Sequence, residues 1–166
     1  MLSNIFSGGP MLDIFIKLGV ALLCGVIIGT ERIISHKAAG MRTYALVAMG
    51  ASLFVIVNDL MITKYLPTGV AVNDPLQIPS MIISGIGFMG AGIIIFRDTS
   101  IKGLTTASGL WVAAGIGMAC GAGFFATALL VTLMTLFVFL ALYPIEQGVK
   151  KVAFREQGEE SENSST

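Results

Sequence analysis

The chain has 166 residues, of which 55% are hydrophobic and 12% charged, with a formal net charge of zero. A soluble domain carries about 25% charged residues, so this length allows one domain but not a surface covered for water. Composition predicts an all-α polytopic membrane protein, and the zero net charge gives no reason to expect a nucleic-acid partner.

The first ten residues carry no Lys or Arg, and no small-residue cleavage site follows them. The first apolar run therefore reads as a permanent transmembrane helix rather than a signal peptide. It covers residues 12–30, a stretch of 19 residues, or about 28 Å of helix against a hydrocarbon core of ~30 Å. Asp13 and Lys17 stand one turn apart and can pair, and Ala21, Gly25 and Gly29 form a smooth stripe for a neighbouring helix. A basic polar loop, 31–42, leads to a second span at 43–62, with Ala48 and Ser52 as its small pair. The loop that follows contains Pro67, Gly69, Asp74 and Pro75, which no helix would cross.

Span three is predicted at 78–96 and span four at 105–120, joined by a short loop from Arg97 to Lys102. Glycine is about 1 kcal/mol worse than alanine inside a helix. Gly85, Gly87, Gly90 and Gly92 must therefore be offset by close helix approach. The expectation is that spans three and four form the central pair. Span four carries one stripe of Gly109, Ala113, Gly117 and Gly121 and a second of Gly115, Ala119 and Gly123, which predicts two helix neighbours. Gly87, Ala91 and the span-four stripes suit either homodimerisation or the lining of a pore. Trp111 reads as core or interface packing. Span five, 124–143, has large residues all round and should face lipid, ending at Tyr143-Pro144. Residues 1–148 thus form the transmembrane domain, and 149–166 a polar, acidic tail expected to be disordered.

Eight of the bases outside the spans lie on one side: Arg32, Lys37, Arg42, Arg97, Lys102, Lys150, Lys151 and Arg155, against Lys64 alone on the other. The positive-inside rule places that side, and the C-terminus, in the cytoplasm, with the N-terminus outside.

Four blocks then carry a resemblance. They are Gly25-Val26-Ile27-Ile28-Gly29-Thr30-Glu31-Arg32, Lys37-Ala38-Ala39-Gly40-Met41-Arg42-Thr43, the Ser84–Gly92 stretch, and Gly103-Leu104-Thr105-Thr106-Ala107. In this order and spacing they resemble the MgtC/SapB family. The resemblance implies a bacterial inner-membrane protein of about five spans, linked to acclimation to low magnesium, and in some members to intracellular survival and restraint of ATP synthase. Where the family usually has an Arg and then a Gln after its loop Asp, this chain has Gln77 and Met81. Longer members carry a soluble C-terminal domain, so the resemblance implies a short form.

On the basic side, Glu31, Arg32, Arg42, Thr43, Arg97, Asp98 and Lys102 lie at one depth. They form either a lattice of ion pairs that fixes helix register or a gate or partner-docking surface. Thr105 and Thr106 open span four, where a hydroxyl can cap the helix or the free N–H groups can hold an anion. His36 is a lone loop histidine without a second ligand at useful spacing. Cys24 and Cys120 read as reduced, apolar packing residues. Mg²⁺ takes oxygen ligands, usually carboxylates. Glu31 and, on the opposite side, Asp74 are the candidate carboxylates, and none lies at mid-membrane. Mg²⁺ enters as a possible substrate or signal, and no cofactor is expected. No nucleophile and base pair up in the chain, so an enzyme is not expected.

Three functions follow: a regulatory membrane protein in magnesium homeostasis acting on another inner-membrane complex, a divalent-cation transporter or channel, or a structural homo-oligomer, most simply a dimer.

Overall fold

The computed structural model describes residues 8–65, 77–97 and 100–163. In chain order the elements are α1 (Gly8–Ile34), α2 (Met41–Tyr65), α3 (Gln77–Ile93), β1 (Ile95–Arg97), β2 (Ser100–Lys102), α4 (Leu104–Gly121) and α5 (Phe125–Asn163). Helices α1, α2, α4 and α5 are long and apolar enough to cross a membrane, and α3 is a shorter apolar helix of 17 residues. The all-α membrane architecture is therefore what the composition predicts.

The centre is different from the expected one. α4 packs against each of the other four helices, while α2 is held between α1 on one side and α4 on the other. α3 leans on α4, barely touches α2, and sits at the edge of the bundle. The glycines explain this. A Cβ on Gly25 would lie 2.5 Å from the Tyr44 carbonyl oxygen, and one on Gly29 would lie 2.5 Å from Met41 Cα. On the other side of α2, a Cβ on Gly117 would run into the Ala48 carbonyl, and one on Gly121 would lie 2.6 Å from the Ser52 carbonyl oxygen. The α1 stripe and the first α4 stripe thus bring two backbones against α2, at Gly25/Tyr44 and Gly117/Ala48, with no side chain between.

The α3 glycines do not behave this way. A Cβ on Gly85, Gly87 or Gly92 would meet nothing within 4 Å, and one on Gly90 would make only an ordinary contact with Ala107. The second α4 stripe is likewise open at Gly115. Periodicity identifies a smooth helix face but not the helix that covers it.

Span three ends at Ile93 rather than at 96, and the loop after it is a two-stranded antiparallel hairpin pairing Ile95 with Lys102 and Phe96 with Ile101. Ile95, Phe96 and Ile101 are β-branched or aromatic and favour an extended backbone. Gly103, at φ 91°, turns the chain from β2 into α4. A Cβ there would collide with the Ile93 carbonyl, so the turn needs glycine twice over.

α5 buries a narrow stripe of Ala128, Thr132, Thr135 and Phe139 and exposes Leu130, Leu133 and Phe137. Its threonine hydroxyls donate back to Ala128 and Val131 carbonyls, so they enter the core already satisfied. The helix does not stop at Tyr143 but runs through Pro144 to Asn163, into the segment read as a disordered tail. Proline removes one hydrogen bond, to the carbonyl of Leu140, and bends a helix without always ending it. Cys24 of α1 and Cys120 of α4, distant in sequence, are both free thiols buried in the same core cluster. Asp13 and Lys17 pair at 2.8 Å as their spacing predicts.

Candidate functional site

The last turn of α1 carries two charges side by side, and both are buried: Glu31 is 6% exposed and Arg32 3%. An unpaired charge so placed would be strongly destabilising. Arg32 Nε donates to Glu31 Oε2, and the Ser35 hydroxyl donates to Glu31 Oε1 at 2.6 Å. Both carboxylate oxygens are therefore engaged within α1 and the turn after it. The Arg32 guanidinium carbon lies over the Phe139 ring of α5, 3.4 Å from its centre.

Two further helices close on this pair. Tyr44, fully buried near the start of α2, donates its hydroxyl to the Thr106 carbonyl of α4 at 3.3 Å. One turn along α4, a Cβ on Gly109 would meet the Tyr44 hydroxyl and would lie 2.9 Å from Phe139 Cζ. Gly109 is small because a tyrosine from α2 and a phenylalanine from α5 converge on it. The result is a junction in which one neutralised ion pair and two aromatic rings tie together the ends of α1, α2 and α4 and the middle of α5.

The α1–α2 turn frames this junction. Lys37 N–H donates to the Arg32 carbonyl and His36 N–H to the Ile33 carbonyl, with His36 at φ 52°. That is a Schellman ending with histidine in the left-handed position, which assigns His36 a backbone role. Lys37 Nζ sits 5.5 Å from the Tyr143 ring, a second cation–aromatic contact from this turn to α5.

Of the residues singled out in the sequence, Glu31, Arg32, Thr106 and Gly109 meet here. Of the expected lattice of ion pairs, Glu31–Arg32 forms at this end. Arg42 is exposed and, with Thr43, lines a groove between α2 and α3. Arg97 lies in β1, while Asp98 and Asp74 fall outside the described residues. Thr105 is exposed, and α4 starts on Gly103 without a side-chain cap, so neither threonine hydroxyl caps the helix. Trp111 is 54% exposed on the outer face of α4 rather than packed in the core. Among the described residues no three His, Cys, Asp or Glu side chains converge to hold a metal.

Ser35, Tyr44 and Phe139 are the members sequence reasoning missed. Tyr44 had a signal: a phenol inside an apolar span needs a hydrogen-bond partner. Phe139 had none, being one of 10 phenylalanines in the chain.

A family model described as MgtC family matches residues 18–148. Protein MgtC of Salmonella typhimurium is 37% identical over 149 residues, 90% of this chain and 61% of its own. The Putative magnesium transporter YhiD of Escherichia coli is 42% identical over 88 residues, 53% of this chain and 40% of its own. Protein SapB of Bacillus subtilis is 38% identical over 97 residues, 58% of this chain and 42% of its own. The chain spans about half the length of the curated relatives it matches. No solved structure matches it.

Proposed function

The chain belongs to the MgtC family, and from that premise we propose that it is a magnesium-related protein of the bacterial inner membrane, acting as a regulator through helix contacts with another membrane complex. One observation carries the reading. Ser80, Ser84, Gly87 and Ala91 fall on one stripe of α3, and all are exposed. The two serine hydroxyls bond back to the carbonyls of Gln77 and Ser80, which leaves the face smooth. Gly87 has no neighbour within 4 Å of where its Cβ would be, so nothing in the described chain offsets its unfavourable helix propensity. A helix from a partner does. The test is Gly87→Leu, scored for membrane insertion and for growth at low magnesium. Growth lost with insertion intact supports the reading, and unchanged growth overturns it.

Transport is the second reading, favoured by the name carried by the Escherichia coli relative. Glu31 is its candidate ligand, but a cation there would compete with Arg32 and Ser35 for both carboxylate oxygens. Mg²⁺ flux into liposomes holding only the purified protein separates the two readings. Flux that falls in Glu31→Gln establishes a cation path, while flux equal to that of empty liposomes leaves magnesium as the condition to which the protein responds.

A further inference from the structure

Because α2 and α3 both lean on α4 and hardly on each other, a groove of about 910 Å³ opens between them. Leu46 and Phe54 line it from α2, and Met81 and Met89 from α3. Gly50 and Gly85 leave its walls open, since a Cβ at either would meet nothing within 4 Å. Among the described residues, its only charged and hydroxyl-bearing lining residues are Arg42 and Thr43, side by side at the basic end.

Arg42 has no reason to be there for the sake of its own helix. It lies in the first turn of α2, where a cation opposes the helix dipole. It is exposed and, among the described residues, forms no ion pair. An anion outside the chain would answer that charge. The length of the groove then selects the kind of anion. From Arg42 to Phe54 the α2 wall rises about 18 Å, close to one leaflet of a hydrocarbon core about 30 Å thick. A transmembrane helix from a partner would need the full thickness.

We propose that the groove holds an anionic phospholipid, with its phosphate on Arg42 and Thr43 and an acyl chain lying along Leu46, Gly50 and Phe54 against Met81 and Met89. Basic pockets between transmembrane helices, in the leaflet rich in anionic lipid, suit such headgroups. Gly87 is not part of this lining, so the lipid groove and the partner face of α3 are separate surfaces.

The experiment titrates delipidated protein in detergent with phosphatidylglycerol and with phosphatidylcholine, counting bound lipid by native mass spectrometry. Helix content from circular dichroism checks that each variant is folded. One basic residue near a headgroup corresponds to about a fivefold preference. The wild type is expected to bind phosphatidylglycerol about fivefold more tightly than phosphatidylcholine. Arg42→Gln should bring the two to equality, and Gly50→Leu, which fills the groove without meeting a neighbour, should weaken both. Equal binding of the two lipids by the wild type overturns the proposal, as does a preference that survives Arg42→Gln. Disulfide crosslinking between two copies of Gly50→Cys in a bilayer would seat a second chain in the groove and overturn it too.

Discussion

The guanidinium of Arg32 rests 3.4 Å above the centre of the Phe139 ring, joining the last turn of α1 to a helix more than a hundred residues later in the chain. Glu31 neutralises the cation and the Phe139 ring covers it, so the buried charge has a partner in each of two helices. A desolvated cation–aromatic contact contributes about 2 kcal/mol. Phe139→Leu, which keeps bulk but removes the ring, should lower stability by about that amount in thermal unfolding in detergent. In Arg32→Met the same change should have a much smaller effect, because the contact is already gone.

Removing one member of the ion pair should be worse than removing both. Glu31→Gln leaves Arg32 buried and uncompensated, a loss of about 3–5 kcal/mol. Glu31→Gln combined with Arg32→Met replaces the pair with neutral groups of similar size and should recover most of that loss. A double-mutant cycle on unfolding temperature reads the difference. If the double variant is no more stable than the single one, the pair contributes more than mutual neutralisation.

Glycine substitutions should split by sign. Gly117→Ala forces α2 away from α4, because the Ala48 carbonyl occupies the space its Cβ needs. Overpacking against backbone of this kind destabilises by about 1–3 kcal/mol or more. Gly115→Ala, two residues away and facing open space, should instead stabilise the isolated chain by up to about 1 kcal/mol through helix propensity. Both are measured as unfolding midpoints of monomeric protein in detergent.

Tyr44 and Gly109 should be coupled. Tyr44→Phe removes a single hydrogen bond to the Thr106 carbonyl, with an expected loss of about 1 kcal/mol. Gly109→Ala pushes a methyl group into the Tyr44 hydroxyl and toward Phe139. In the Tyr44→Phe background the alanine loses one of its two collisions and should be less damaging. Additive effects in the cycle would place the hydroxyl elsewhere.

The apolar runs, their lengths and the small-residue spacings are local properties, and from them the sequence alone determined an all-α membrane bundle, its helices to within a few residues at most ends, and the Asp13–Lys17 pair. The ends that differed, the hairpin after α3 and the passage of α5 through Pro144, depend on two or three residues whose propensities are weak beside their surroundings. The identity of each helix's neighbours was decided only by the tertiary structure. Ser84–Gly92 and the Gly109–Gly121 stripe look alike as strings of small residues, yet Gly85, Gly87 and Gly92 of the first face open space while Gly117 of the second holds the Ala48 backbone. Likewise Glu31 and Arg32 were legible as charges at a helix end, but Tyr44, Gly109 and Phe139 around them were not. A side chain's partner across a bundle is fixed by how the helices cross, and no spacing within a single helix encodes a crossing.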